Sequence, residues 1–533
     1  MSWPDIGHID DRSAATFRVG VASGLLLQIV SSWPDRCDFY ALDSSECGFA
    51  TGLFALHGLA ALFLLVGCWP AACAGVGFAL QLALVRLSPA TQTGDALLLC
   101  SCLLWAALLP NIGARWAVMA GGAADNASRV PAYGLKAQIV LFYLTSVLHK
   151  LREGREPSAT TDGASTSPWL EGTAVAEALT CCEYATPLGQ LLLRHLACCR
   201  LLTWGTLAVE AAAPIGLLWF DSVERLVPCL LLVSLHAGLH WAMELGIFSI
   251  VCVAALSCFV PADAWALLDD LLKELSSALA LPHPRQSAPA AARPATPTAD
   301  ADADAAATDA PTRWRERART WLAAVLLVCV AAAVAADSLD RGSLAFGTTA
   351  GQRGRTGMGS GLTHLANIGR ALGLPSRADM FAPPPSECGW WVLAAVLHDG
   401  ERADAHRLRH YPQLPRAPPS YARPAWPASQ HRTLLWHRLF ETLSATARWD
   451  DPEVTALREQ VALNYCARLP SLRQVRARAA RTHPNYCTRS HYCTHPQLLH
   501  APREWTAARG HTLATLTLPE ASWKTLPGDI DMT

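Results

Sequence analysis

"QIVLFYLTSVLHKLREG", residues 138–154, is the stretch that decides how this chain is read. It is an apolar run of helical length with His149 and Lys150 side by side at its far end. A soluble core rarely takes a lysine, and a membrane takes one only where it pairs, snorkels to the interface or does chemistry. Composition chooses between the two environments. The chain is 51% hydrophobic and 16% charged, whereas about a quarter of an ordinary soluble domain is charged. The lysine therefore stands in a membrane helix.

A membrane helix needs about 20 mostly apolar residues. Segments 17–32, 50–69, 71–87, 95–111, 136–150, 201–220, 226–243, 245–261 and 319–337 meet or approach that length. They predict about eight or nine spans, with tight helical hairpins at Pro70 and near Gly246. The fold class is mainly α: a polytopic transmembrane helix bundle followed by a small α+β soluble domain. The expected order is an N-terminal tail (1–13), the transmembrane domain (14–281), a linker (282–313), a final membrane helix (314–337) and the C-terminal domain (338–533). The opening "MSWPDIGHIDDRSAAT" has acids where a signal peptide would be basic, so the first span reads as a retained helix.

A net charge of −1 gives no global field, and no basic tract carries interleaved aromatics. Nucleic acid is excluded as a partner. The 18 cysteines form no CxxC…CxxC pattern, so no zinc ribbon is expected. Many sit inside apolar runs such as "LLLCSCLLW", where Cys behaves as a small hydrophobe.

The linker "PHPRQSAPAAARPATPTADADADAAATDAPT" cannot bury a core and is expected to be disordered. The arginines of "RWRERAR" precede the last span and give a positive-inside signal. They predict a cytoplasmic linker, a cytoplasmic N-terminus and a C-terminal domain on the other side, which would be the endoplasmic reticulum lumen in a eukaryote. The acidic loop "DRCDFYALDSSECG" and the loop after Lys150 then face outward. Cys37, Cys47, Cys388, Cys466, Cys487 and Cys493 lie on that side, where they either form disulfides or remain free thiols. The sequon at Asn126 falls on the cytoplasmic side, unused.

In the C-terminal part, "GWWVLAAVLHDGERADAHRLR" reads as two strands joined by a turn at Asp399-Gly400. "RTLLWHRLFETLSATARW" and "DPEVTALREQVALNYCARL" read as amphipathic helices, the second capped by Asp451 with Pro452 at its first position.

Ionisable groups within spans are the functional candidates. Lys150, beside His149, either snorkels to the interface or, being partly desolvated, keeps some neutral amine that acts as a base. His236, His240 and Glu244 follow at i, i+4 and i+8 in "SLHAGLHWAMELG" and would share one helical stripe. Proton transfer or a polar ligand contact fits that stripe better than a metal, and a structural interhelical hydrogen bond is the plain alternative. Glu210, in mid-span, should face the bundle interior, either protonated or paired with a histidine or arginine. Trp169 and Gly172 open a re-entrant or interfacial helix after the Lys150 loop. No GxSxG elbow, Walker A loop or Rossmann fingerprint occurs, and "GQRGRTGMGSG" follows no strand.

The order "GDALLLCSCLLWAALLPNIGARWAV", "QIVLFYLTSVLHK…SPWLEGTA", "LAVEAAAPIGLL" and "LHAGLHWAMELGIFSIVCVAA" resembles the HTTM (horizontally transferred transmembrane) domain over about residues 14–265. That domain is the membrane part of vitamin K-dependent gamma-carboxylase and of many relatives. The resemblance continues weakly into "LPSRADMFAPPPSECGWWVLAAVLHDGERAD". It implies Lys150 as the base that deprotonates vitamin K hydroquinone or another quinol, with His236 assisting. His149, Trp169, Glu210 and His240 would then contact the substrate, and a peptide glutamate would be carboxylated. The chain departs from the pattern at Gly94-Asp95, where the carboxylase has a histidine, and between Lys150 and Trp169, where the loop is longer. Its soluble part is also shorter. Two functions stay open: a quinol- or lipid-using membrane enzyme, and a non-catalytic membrane protein that binds a lipid or partner and displays its C-terminal domain.

Overall fold

The computed structural model describes residues 7–40, 47–88, 93–109, 112–113, 115–118, 129–152, 167–180, 184–279, 314, 317–334, 360–372, 388–397, 399, 401–404, 472–482 and 504–508. The linker 282–313 and the two amphipathic helices expected near 432–470 lie outside these residues. Helices α1 (Asp11–Ser32), α2 (Arg36–Tyr40), α3 (Cys47–Val66), α4 (Pro70–Leu87), α5 (Gly94–Leu108) and α6 (Val130–Arg152) open the chain. Short helices α7 (Pro168–Glu171), α8 (Ala174–Thr180) and α9 (Pro187–Leu193) lead to α10 (Leu196–Trp219), α11 (Leu226–Ala242), α12 (Phe248–Leu256) and α13 (Ala262–Leu279). Then come α14 (Arg317–Val334) and α15 (Ser360–Ala371).

The protein is a multi-pass membrane helix bundle. Among the described residues six helices are long and apolar enough to cross a bilayer: the α1 segment, α3, α4, α10, the α11 segment and α14. A seventh span arises if the bent pair formed by α12 and α13 counts as one. The shortfall from the sequence expectation has a local cause. Helix α5 has 15 residues, and α6 carries Lys136, Lys150 and Arg152.

Local chemistry sets the ends. Asp10 caps α1 by accepting from the Arg12 N–H at 2.9 Å. Helix α4 starts on Pro70, directly after Gly67 and Trp69 turn the chain with positive φ. A side chain at Gly67 would collide with Ala117, so this α3–α4 hairpin needs glycine there. Small residues bring helices close elsewhere: Gly20 and Gly24 of α1 face Ala254 and Val251 of α12, and Gly134 of α6 lies against the Trp105 ring.

These contacts fix direction. Ser13, at the start of α1, donates to the Val260 carbonyl beyond the end of α12, at 2.8 Å, so the two helices run antiparallel. Helix α6 is antiparallel to α12 as well, since Lys136 lies over the Phe259 ring and Phe142 packs on Phe248. The starts of α1 and α6 thus share one end of the bundle. There, Lys136 donates to the His8 carbonyl at 2.8 Å, and Arg18, fully buried, gathers the carbonyls of Ile112, Arg115 and Trp116. Lys150 and a Cys37–Cys47 disulfide lie toward the opposite end. Of the two states open for those cysteines, the disulfide is the one formed.

In the C-terminal part, β1 (Cys388–Leu397), β2 (Arg402–Asp404), β3 (Leu472–Thr482) and β4 (Glu504–Ala508) make an antiparallel sheet of order β2-β1-β3-β4. The β1–β2 hairpin turns around Asp399, whose carboxylate accepts from the Glu401 N–H at 3.0 Å, as the sequence leads one to expect. Helix α15 docks on the bundle: Arg86 donates to the Ala371 carbonyl at 2.6 Å, and Gly369 abuts Cys329 of α14.

Candidate functional site

Helix α6 presents Tyr143, Ser146 and Lys150 at i, i+3 and i+7, on one face, two turns from first to last. That face meets α10 and α11. Lys150 Nζ lies 2.5 Å from Glu210 Oε2, and Ser146 Oγ donates to the same oxygen at 3.1 Å. The pair is nearly sealed: the two side chains are 4% and 9% exposed. One turn deeper, the Tyr143 hydroxyl and His236 Nε2 are 2.7 Å apart. Tyr143, Ser146 and Lys150 share one face of α6, with Ser146 on Glu210, so the two pairs adjoin in one cluster.

A short helix closes the cluster at the Lys150 end. Ser167 caps α7 and donates to the Lys150 carbonyl at 2.6 Å. Pro168 occupies the first turn, and Gly172 ends the helix at φ 81°. Trp169 is thereby held with its ring 4.4 Å from Lys150 Nζ, a cation–π contact. The Trp204 indole donates to the Leu170 carbonyl at 3.2 Å and fastens α7 to α10. A narrow cavity adjoins the cluster on the far side of Tyr143, lined among others by Ser101, Gln138, Phe142 and Cys252.

The expected site residues divide cleanly. Lys150, His149, Trp169, Glu210 and His236 are all buried, and Lys150 touches both Glu210 and Trp169. His240 and Glu244 are not part of the cluster. His240 is exposed on the bundle surface, and α11 ends at Ala242, so Glu244 leaves the stripe and its N–H bonds the Tyr184 carbonyl. Among the described residues no group of His, Cys, Asp and Glu could hold a metal ion.

The partner of Glu210 is a correction to the sequence reading: Lys150 fills that role, not a histidine or an arginine. An ion pair also opposes the picture of a solitary, partly neutral amine. Ser146 and Tyr143 were missed, although their spacing ahead of Lys150 on one helical face was a usable signal.

Asp95 is buried beside the backbone N–H groups of Ala96 and Ile247. It ties the start of α5 to the start of α12. No protein-family model matches the chain, and no curated protein or solved structure is significantly similar to it.

Proposed function

We propose that this protein is an HTTM-type membrane enzyme in which Lys150 removes a proton from a hydroxyl of a quinol or other lipid-like substrate. The observation that carries this reading is the buried Lys150–Glu210 pair under Trp169, with the Tyr143–His236 pair beside it. Isolating an ion pair from water is costly, so such a pair in a membrane bundle invites a functional explanation.

The chemistry follows from the contacts. In the resting pair the ammonium donates to the carboxylate. Passing that proton from Lys150 to Glu210 leaves a neutral amine beside a neutral acid, and low polarity narrows the gap between the charged and neutral forms. The amine then accepts the substrate proton, and the returning ammonium stabilises the oxyanion. Ser146 holds the carboxylate in place, and Trp169 keeps water out. His236 Nδ1 has no partner among the described residues, which suits a polar substrate group. A quinol, when bound, would supply the acidic hydroxyl. Carboxylation of a peptide glutamate is the specific reaction suggested by the resemblance.

The same reading assigns one membrane crossing to each of α1, α3, α4, α5, α6, α10, α11 and α14 and one to the segment 245–261 around α12, the upper figure of the sequence expectation. The arginine-bearing end is cytoplasmic, and the disulfide and the C-terminal domain are on the other side.

Asp95 favours a second reading. It fastens two helices where the resembled enzyme has a histidine, and the bundle would then bind a lipid or partner without turnover. The test is consumption of vitamin K hydroquinone by the full chain in nanodiscs, against empty nanodiscs. Turnover in the parent that vanishes in Lys150→Ala and slows in Glu210→Gln supports the enzyme. Equal turnover in Lys150→Ala rejects Lys150 as the base, and none in the parent leaves the non-catalytic reading.

A further inference from the structure

Helix α13, "ADAWALLDDLLKELSSAL", follows α12 at an angle of 101°. Its N-terminal half is fastened to the start of α1. Arg12 Nη1 donates to Asp269 Oδ2 at 2.7 Å and Arg12 Nη2 to the Ala262 carbonyl at 3.2 Å. The Trp265 indole donates to Ser13 Oγ at 2.7 Å and packs edge-on against Trp116. Along the same helix Leu267, Leu268, Leu271, Leu272 and Leu275 remain between 42% and 56% exposed. Asp263, Asp270, Lys273 and Glu274 occupy the other face, with Lys273 bonded to Asp270 at 2.9 Å.

Helix α12 packs along α11 and lies antiparallel to α1, a membrane helix, so its axis stands along the bilayer normal. A turn of 101° therefore lays α13 close to the membrane plane, at the end of the bundle that holds Arg12, Arg18, Arg115 and Arg129. We propose that α13 is an in-plane anchor whose leucine face is buried in the adjacent lipid leaflet and whose acidic face meets water. It is not the second half of a span, because Asp269, Asp270, Lys273 and Glu274 fall mid-helix where a span would be apolar. The occupant is the neutral headgroup–acyl boundary. The polar face carries Asp263, Asp269, Asp270 and Glu274 against Lys273 alone, so anionic lipid contributes no attraction. This inference needs only the membrane bundle and is independent of the Lys150 chemistry.

The test places the photo-reactive residue p-benzoylphenylalanine, one position at a time, at Leu271, Leu275, Asp270 and Glu274 of the full chain. Each variant is reconstituted in phosphatidylcholine nanodiscs, irradiated and analysed by mass spectrometry for lipid adducts. Adducts several-fold more abundant at Leu271 and Leu275 than at Asp270 and Glu274, and unchanged when a third of the lipid is phosphatidylserine, support the anchor. Equal adducts on both faces, no adducts on either, or chain-to-chain crosslinks at the leucines would overturn it. So would adducts that require phosphatidylserine.

Discussion

Lys150 on α6 and Glu210 on α10, sixty positions apart in the chain, meet 2.5 Å from each other inside the bundle. Each group justifies the other. An ammonium or a carboxylate left alone in this setting costs several kcal/mol, about 3 to 5 when one member of a buried pair is removed. Lys150→Ala and Glu210→Ala should therefore each lower stability by about that amount. The joint replacement Lys150→Met with Glu210→Leu should return most of it. Thermal unfolding of the detergent-solubilised variants checks this, and simple addition of the single losses in the double variant would mean that the pair is not coupled.

Tyr143 supplies the partner of His236 Nε2. Removing its hydroxyl in Tyr143→Phe leaves a buried ring nitrogen unpaired, a loss of about 1 to 3 kcal/mol. Combined with His236→Leu, Tyr143→Phe should cost little more. A double-variant cycle by chemical or thermal unfolding measures the coupling, and a coupling of zero removes the contact from the account.

Close helix approach rests on particular glycines. A methyl at Gly134 would sit 2.3 Å from the Trp105 ring, and one at Gly20 would sit 2.5 Å from Ala254, whereas nothing lies within 4 Å at Gly205. Gly134→Ala and Gly20→Ala should each destabilise by about 1 to 3 kcal/mol through overpacking. Gly205→Ala should be neutral or slightly stabilising, since alanine favours the helix. Melting temperatures that rank the three differently would contradict the packing.

The Cys37–Cys47 bond closes a short loop between α2 and α3, and by chain entropy contributes about 2 to 3 kcal/mol. Cys37→Ala should lower the melting temperature accordingly. In intact cells or sealed vesicles, an impermeant maleimide should reach this pair only after reduction, and from the non-cytoplasmic face. Labelling without reduction would deny the bond, and labelling from the cytoplasmic face would invert the topology.

Crossing number has its own readout. A glycosylation sequon introduced in the stretch 153–166, beyond Lys150, should be modified in a eukaryotic membrane, and native Asn126 should stay bare. Modification of Asn126 instead would place the start of α6 outside and overturn the direction assigned to every helix around it.

Much of this was legible in the sequence because it depends on neighbours along the chain. Apolar runs such as 50–69 and 201–220 announced membrane helices, since a helix in lipid satisfies its own backbone and needs only greasy side chains. The β1–β2 hairpin and its turn at Asp399 were readable for the same local reason. Lys150 and Glu210 each stood out as a charge that a membrane tolerates only with cause. Which residue answered which was not written in either segment. Glu210 was expected to be protonated or to pair with a histidine or arginine and met Lys150, and Glu244 left the His236–His240 stripe because α11 stops at Ala242. The Tyr143–His236 contact was likewise decided by how distant helices pack. Periodicity states which face of a helix is buried, but the identity of what lies against that face belongs to the assembled bundle, where contacts between remote segments compete for the same space.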